Sequence, residues 1–278
     1  IVFGVSEDCL VVPAHIWTPW FSVFGSMSGF DSLEECFEEL APKIHAIETG
    51  LSSDPPMNWR VSGLDRLTLI SNSDSHSPAK IGREANVFEL EKLNYQNIAA
   101  ALKKSSPKNK LAKTIEFFPE EGKYHFDGHA NCGVNFSPAE SKKHKQLCPK
   151  CGKPLVIGVL NRVEVLADRE AGEKPAGAAD FKSLIPLEEI IAETLGVGVS
   201  LKKVRKIYFD LIEKFGNEFE ILLNSPIEKI AEASQSPIIA EGVKRVREGK
   251  IKITPGFDGV YGKIEIFSEK ERRLGKSF

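Results

Sequence analysis

Two short motifs in the middle of the chain each contain a pair of potential metal ligands separated by two residues. His129 and Cys132 form the first pair, Cys148 and Cys151 form the second, and fifteen residues separate the pairs. Thiolates and imidazoles are the ligands that tetrahedral Zn²⁺ prefers, and a tight turn within each pair can wrap the ion. Because the protein would fill all four positions, we expect a structural zinc.

The alternative is that the three cysteines are free and that the histidine lies on the surface, but the two matched spacings favour zinc. His125 is a weaker candidate for the fourth ligand, because its separation from Cys132 is too long for a knuckle. Glycines beside the ligands would permit the backbone angles of tight turns; they are Gly128, Gly133 and Gly152.

Residues 1–118 alternate short apolar runs with helical patterns. The runs IVFGV, LVVPAHI, IHAIET and LTLISNS predict buried strands, whereas DSLEECFEELA and NYQNIAAALKK predict amphipathic helices. This alternation favours a parallel α/β architecture, in which ligands lie beyond the carboxyl ends of the strands.

Potential metal ligands follow three of these predicted strands: His15, Glu48, and the pair Asp74 and His76. In extended backbone, residues i and i+2 point to the same side, so the side chains of Asp74 and His76 would converge. This arrangement predicts a metal-binding or phosphate-cleaving site. The alternative is a polar turn in which Asp74 caps the next helix.

The composition is ordinary for a globular domain, with 41% hydrophobic and 27% charged residues. No apolar run approaches the ~20 residues of a membrane span, there is no signal-peptide pattern, and the cysteines do not form a secreted disulfide framework. We therefore expect a cytoplasmic protein that makes no contact with a membrane. The sequence starts at Ile1, inside an apparent strand, which indicates a piece of a longer chain.

The last part of the chain has a helical pattern that ends in a β-hairpin. Ser-Pro pairs mark helix starts, Gly196 marks a helix end, and KIKITPGFDGVYGKIEIF predicts two strands around a turn. Residues 199–278 carry 16 Lys and Arg against 12 Asp and Glu. A solvated helix face explains this excess about as well as DNA binding, for which the candidates are Lys203, Arg205, Lys244 and Arg247.

Several stretches resemble one known family. VVPAHIWTPWFSVFGSMSGFDSLEECF, AIETGLSSDPPMNWRVSGLD and LISNSDSHSPAKIGREANVFE resemble the second half of a polymerase-and-histidinol-phosphatase (PHP) domain, in the version found in the endonuclease Q family. The zinc segment and the tail PGFDGVYGKIEIF are similar to that family too. The resemblance covers nearly the whole chain. It implies an α/β fold: the C-terminal half of a distorted PHP-type barrel, a zinc-binding segment, and an α-helical C-terminal region with a terminal hairpin.

The same resemblance implies a function in DNA repair. Members of the family are metal-dependent endonucleases that hydrolyse the phosphodiester 5′ of deaminated bases (uracil, hypoxanthine, xanthine) or of abasic sites. His15 matches a late histidine ligand of the family, and Asp74 and His76 match its final Asp-x-His pair, which makes these three the expected catalytic metal ligands. The family's early His-x-His strand is not in the sequence, so we expect a fragment or a degenerate active site.

The expected cofactors are the structural Zn²⁺ and a divalent metal cluster at the barrel mouth, of Zn²⁺, Mn²⁺ or Mg²⁺. The expected partner is DNA with deaminated bases, and the sequence assigns no replication-clamp or repair-protein partner. A flipped base needs aromatic and polar walls, which makes Trp17 and Trp20 candidates for substrate contacts, with Arg60 for phosphate and Glu48 at a strand end. Burial of the tryptophans in the core and a surface ion pair for Arg60 are the alternatives.

We thus predict three segments: a partial PHP-type metallophosphoesterase domain at 1–118, a zinc-binding segment and linker at 119–182, and a helical domain with a terminal hairpin at 183–278. Two other functions stay open, a small-molecule PHP phosphoesterase and a non-catalytic DNA-binding protein. The phosphate-binding motif G-x-x-x-x-G-K-[ST] is absent from the sequence, which gives no support to an ATPase or helicase.

Overall fold

The computed structural model describes residues 1–27, 29–268 and 270–271. The chain divides into two compact units: the first is Ile1–Ser183 with Pro255–Gly262, and the second is Leu184–Thr254 with Lys263–Phe278. The predicted segments 1–118 and 119–182 therefore lie in one unit. The turn of the terminal hairpin also belongs to that first unit, although its two strands belong to the second.

The first unit mixes short helices and strands. Its helices are α1 (Val2–Val5), α2 (Leu33–Phe37), α3 (Pro55–Trp59), α4 (Tyr95–Leu102), α5 (Pro138–Lys143) and α6 (Val159–Leu166). Its strands are β1 (Ala46–Glu48), β2 (Thr68–Ile70), β3 (Ala85–Glu89), β4 (Lys110–Glu116), β5 (Asp127–His129), β6 (Val134–Phe136) and β7 (Asp180–Ser183). Side chains at the N-cap positions explain several helix starts, since Ser32, Asp54, Asn94 and Ser137 each accept a hydrogen bond from the first helical turn.

The sheets confirm a mixed α/β fold and correct the expected topology. Strands β1 and β2 pair in parallel, with Glu48 opposite Ile70. Strand β4 pairs antiparallel with β3 and in parallel with β7, so the second sheet is not purely parallel. A separate antiparallel pair, β5 with β6, carries the first zinc-ligand motif.

Two predicted strands are wrong. The run IVFGV forms α1, and LVVPAHI forms no strand. Pro13 has no N–H for a ladder, and His15 has a φ of 32°, outside the extended region. The segment nevertheless runs beside β1, because Glu48 N donates to Pro13 O at 3.0 Å and Ile16 N donates to Glu48 O at 3.3 Å.

The core of the first unit lies under β1, β2 and α6. Its buried side chains include Ile16, Trp17, Phe24, Ile44, Ile47 and Val163. Burial of this apolar surface is the main stabilising term for such a unit, at ~25 cal/mol per Å². The core therefore holds the loop after His15 and the end of β1 in fixed positions.

The second unit is built from helical hairpins. Its helices are α7 (Leu187–Leu195), α8 (Lys202–Phe215), α9 (Ile227–Ser234) and α10 (Pro237–Arg247), with a π-helical turn at Glu220–Asn224 and a hairpin of β8 (Lys252–Thr254) and β9 (Lys263–Glu265). Gly196 ends α7 in the left-handed conformation, as the sequence predicts. Among the described residues, no helix has the combination of length and apolar character that crossing a bilayer requires.

Candidate functional site

The paired ligands lie on two turns of the first unit that face each other. His129 ends β5, and a 3₁₀ turn (Ala130–Cys132) carries the chain into β6. Cys148 begins the second turn, which is closed by hydrogen bonds from Cys148 N to Lys153 O and from Gly152 N to Cys148 O, both 2.8 Å long. Each ligand pair is therefore positioned by a local turn, as the two-residue spacing predicts.

The four side chains form a cluster of metal-ligand geometry. One ligand atom from each of His129, Cys132, Cys148 and Cys151 lies within 4.8 Å of the others. The Sγ of Cys151 is 3.5 Å from Nδ1 of His129. Ligands at ~2.3 Å and ~2.0 Å from one tetrahedral Zn²⁺ would be about 3.5 Å apart. The cluster can therefore hold a metal ion, and its donor atoms are those of a structural zinc site.

The surroundings of the cluster favour a thiolate at one of its cysteines, Cys148. Although burial opposes ionisation of the Cys148 thiol, the backbone N–H groups of Lys150 and Cys151 donate to its sulfur, and the pKa of Cys148 is lowered to about 6. Lys150 Nζ also donates to the carbonyl oxygen of Cys132 at 2.6 Å. His125 is buried and is not among the four residues that come together in the cluster, so it is not the fourth ligand.

Glycines serve the cluster in two different ways. Gly133 and Gly152 have φ angles of 59° and 72°, which other residues adopt at a cost. Gly128 instead permits close packing, because a Cβ there would lie 2.3 Å from a side-chain carbon of Phe257. The expectation of unusual backbone angles thus holds for two of the three glycines.

The turn of the terminal hairpin packs against the segment around β5 and β6, which carries His129 and Cys132 and which we call the cluster segment. Asp258 Oδ2 accepts a hydrogen bond from Ala130 N at 2.6 Å, and Asn135 Nδ2 donates to Pro255 O at 2.9 Å. The cluster and the turn residues 255–262 therefore form one packed structure within the first unit.

The ends of β1 and β2 are linked through Glu48. This buried carboxylate accepts hydrogen bonds from His15 N at 2.8 Å and from Asn72 Nδ2 at 2.9 Å. Gly50 lets the chain pass the histidine closely, since a Cβ there would be 2.6 Å from Cβ of His15. The structure therefore places the loop of His15 beside the two strand ends. We refer to His15, Glu48, Asp74 and His76 as the strand-end site.

Asp74 and His76 are exposed beyond β2. His76 Nδ1 lies 2.9 Å from the carbonyl oxygen of Asp74, and Asp74 has a φ of 45°. The residue before the next 3₁₀ turn is Ser77, so Asp74 does not occupy the capping position of the alternative interpretation. Among the described residues, one group of three or more metal-ligand side chains comes together: His129, Cys132, Cys148 and Cys151, which we call the zinc-type cluster. His15, Asp74 and His76 do not form a second group of this kind among those residues.

Two buried glutamates beside the strand ends were not predicted. Glu116 ends β4, is fully buried, and accepts hydrogen bonds from the hydroxyls of Thr49 and Thr114. Glu84 precedes β3, and its Oε1 accepts from Phe117 N at 3.2 Å. Burial, and then the charge of Glu116, raises the pKa of Glu84 to about 8, while burial raises that of Glu116 to about 7. Applying the strand-end rule to β4 would have identified Glu116.

The predicted substrate contacts divide into internal and exposed residues. Trp17 is fully buried and its Nε1 donates to Asn58 Oδ1 at 2.8 Å, so it is a core residue and cannot line a base pocket. Arg60 pairs with Glu164 and donates to the carbonyl of Arg169, which favours the ion-pair alternative over a phosphate contact.

Glu48 acts within the protein, because both of its carboxylate oxygens are engaged by His15 and Asn72. Trp20, with 41% of its surface exposed, is the remaining predicted contact that substrate can reach.

The comparisons with known proteins agree with the sequence resemblance. Residues 186–250 match the family model described as the MJ0043 C-terminal domain. The chain is 37% identical over 276 residues to the uncharacterized protein MJ0043 of Methanocaldococcus jannaschii, covering 97% of this chain and 33% of that protein. It is 33% identical to the uncharacterized protein YqxK of Bacillus subtilis, covering 92% and 61%. The chain thus spans about a third and about three fifths of these relatives.

Two solved structures match over most of the chain. The lesion-specific endonuclease PfuEndoQ from Pyrococcus furiosus matches with a TM-score of 0.84 and 34% identity, covering 94% of this chain and 64% of that one. A complex of endonuclease Q with a 27-mer duplex carrying an abasic lesion at the active site matches with a TM-score of 0.80 and 33% identity, at the same coverages. The chain is therefore similar to endonuclease Q structures over 94% of its length.

Proposed function

We propose that the chain is part of a metal-dependent DNA repair endonuclease that hydrolyses the phosphodiester 5′ of deaminated bases (uracil, hypoxanthine, xanthine) or of abasic sites. The observation that carries this proposal is the match to PfuEndoQ, with a TM-score of 0.84 over 94% of the chain. The duplex with an abasic lesion in the second matching structure supports DNA as the partner. Cytoplasmic reducing conditions would suit the free thiols of the zinc-type cluster.

The strand-end site is our candidate for the catalytic centre. His15, Asp74 and His76 offer nitrogen and oxygen donor atoms, and these are ligand types that Zn²⁺ or Mn²⁺ accepts. The three residues therefore fit such an ion by the chemistry of their donor atoms. A divalent metal held there would supply charge neutralisation and an activated water for phosphodiester hydrolysis. Glu48 would act as a positioning residue, because it fixes the backbone of His15 beside the end of β2.

Zinc is our assignment for the four-residue cluster. Three thiols and one imidazole match structural Zn²⁺ sites, and no ligand position is left open for substrate. The ion would therefore stabilise the segment around β5 and β6 rather than react with DNA.

Basic side chains of the second unit support nonspecific DNA affinity. Lys203, Arg205 and Lys244 are exposed. Arg247 is not available, because its guanidinium donates to the carbonyls of Ile221, Leu222 and Ser225. We expect charge reversal at the three exposed positions to reduce the slope of log affinity against log salt by about 3, at ~0.9 per phosphate contact. An unchanged slope would place the DNA contacts elsewhere.

A non-catalytic DNA-binding protein is the second candidate function. One observation favours it: His15, Asp74 and His76 do not form a three-ligand grouping among the described residues. Such a protein would bind lesion-containing DNA without cutting it.

An incision assay separates the two candidates. It uses the complete gene product, because the chain spans only part of its relatives, and duplexes with one uracil, hypoxanthine, xanthine or abasic site. We expect a cut on the 5′ side of the lesion, its loss on metal removal, and its loss in Asp74→Asn. Asp8→Asn is the control, since Asp8 is also exposed but lies outside the site. Binding without any cut would favour the second candidate, and a cut that survives in Asp74→Asn would remove Asp74 from the centre.

A further inference from the structure

Two ring contacts connect side chains from three separate loops of the first unit. The rings of Trp20 and Tyr124 are 5.2 Å apart between centroids, in a T-shaped arrangement. Lys123 adjoins Tyr124 in sequence, and its Nζ lies 4.6 Å from the centroid of the Tyr261 ring. We call Trp20, Lys123, Tyr124 and Tyr261 the aromatic strip.

Backbone contacts hold the strip together. Gly259 N donates to the carbonyl oxygen of Lys123 at 3.0 Å, and Val260 N donates to Phe257 O at 2.8 Å. A Cβ at Gly259 would lie 3.9 Å from the hydroxyl oxygen of Tyr124, so the turn runs directly beside that ring. Tyr261 is therefore fixed beside Lys123 by the packing of the turn.

The strip offers ring surface and positive charge to a ligand. Tyr261 has 70% of its surface exposed and Trp20 has 41%, and Lys123 is exposed as well. Proteins that bind single-stranded nucleic acid use such a combination, in which bases stack on aromatic rings and cations contact the phosphates. In an intact duplex the base faces are covered by neighbouring bases, so an exposed ring needs unstacked nucleotides.

The strip begins beside the strand-end site. The hydroxyl of Thr18 donates to the carbonyl oxygen of Trp20 at 3.1 Å and lies 3.4 Å from Nδ1 of His15. Thr18 N also donates to His15 O at 3.2 Å. A strand held on Trp20 would therefore continue toward the residues that we assign to the catalytic centre.

We propose that the aromatic strip binds unstacked bases of a single DNA strand beside the strand-end site, with Lys123 paired to a phosphate. This inference rests on the proposed function, because it assumes that DNA is the substrate. Proline-rich peptides also bind to aromatic surfaces. The adjacency to the strand-end site and the lysine favour a nucleic acid strand.

The test compares two fluorescent single strands of equal length, one with bases and one made only of base-free abasic units. We expect Tyr261→Ala to weaken binding of the first strand by about 5- to 100-fold and to leave binding of the second unchanged, because stacking requires bases. Tyr261→Phe should retain the affinity, since it keeps the ring. Lys123→Gln should weaken binding of both strands.

Tyr95→Ala is the matched control, because Tyr95 is a half-exposed tyrosine outside the strip. Equal weakening of both strands by Tyr261→Ala, no weakening at all, or binding of a polyproline peptide in place of DNA would overturn the proposal. Thermal unfolding of each variant checks that the turn stays folded, and Trp20→Ala gives a second test on another loop. If strip variants bind normally while lesion incision persists, the strip fails and the endonuclease stands. If base-dependent binding is found without incision, the strip proposal stands and the endonuclease proposal fails.

Discussion

The zinc-type cluster and the strand-end site use similar residues but are assembled in opposite ways. The cluster takes its four ligands from two turns within residues 129–151, and its ligand atoms lie within 4.8 Å of one another. The strand-end site takes its residues from the loop of His15, the end of β1 and the loop after β2, and no three-ligand grouping forms there among the described residues. A short loop closed by two i, i+3 pairs needs little tertiary structure, whereas a strand-end site depends on the sheet around it.

The two regions are stabilised by different interactions. The cluster segment has a small core, with Val134, Cys148 and Leu155 buried, so a metal ion would supply much of its folding energy. The strand-end region instead lies on the larger core around Trp17 and Ile47. The first region should therefore respond to metal removal and the second to core truncation.

Loss of the metal should have the largest effect, and only in the cluster segment. We expect Cys148→Ser to lose the bound ion and to make residues 120–165 cleavable by protease, since a structural zinc contributes directly to folding. Limited proteolysis with mass spectrometry measures this. Cys36→Ser is the control, because Cys36 lies outside the cluster. Equal protection of 120–165 in both variants would contradict the role of the metal.

Truncation of the core should have the next largest effect, in the strand-end region. Trp17→Ala should lower the free energy of unfolding by about 3–5 kcal/mol, because it removes a fully buried ring and the hydrogen bond to Asn58. Trp20→Ala should cost less than about 1 kcal/mol, since Trp20 is partly exposed. Urea unfolding measures both values, and a reversed order would place Trp17 at the surface instead.

The buried glutamates predict a smaller, pH-dependent effect. The folded state raises the pKa of Glu84 from 4.5 to about 8, so it holds a proton that the unfolded chain releases. Stability should therefore fall as pH rises from about 4.5 to 8. Glu84→Gln should reduce this loss of stability, so that the fall in the free energy of unfolding between pH 4.5 and pH 8 is smaller by on the order of 1–3 kcal/mol.

Urea unfolding of wild type and Glu84→Gln at pH 5 and pH 8 measures the change. Glu91→Gln is the control, since Glu91 is exposed and pairs with Lys108. If the two variants showed the same pH dependence, the burial of Glu84 would not be the cause.

Local patterns made part of the fold predictable from sequence. The cluster follows from ligand spacing, the starts of α2 and α5 follow from Ser32 and Ser137, and the end of α7 follows from Gly196. Each of these features involves residues only a few positions apart, so one sequence contains the whole signal.

Features that depend on distant contacts could not be predicted in this way. Trp17 and Trp20 are three residues apart in an irregular loop, where no helix or strand period indicates which ring is buried. The pairing of Glu84 with Glu116 requires the antiparallel register of β3 and β4, which the expected parallel sheet excluded. Arg247 looked like a DNA contact because its three carbonyl partners lie more than twenty positions away.

Counting the metal ions held by the 278-residue chain tests the contrast between the two regions most directly. Native mass spectrometry after dialysis against a weak chelator should find one zinc per chain in wild type, none in Cys148→Ser, and one in Asp74→Asn, because among the described residues only the cluster gathers its ligands. Two ions in wild type, with one lost in Asp74→Asn, would contradict the account by showing that the strand-end site is already assembled. An unchanged zinc count in Cys148→Ser would contradict the assignment of the cluster as the zinc site.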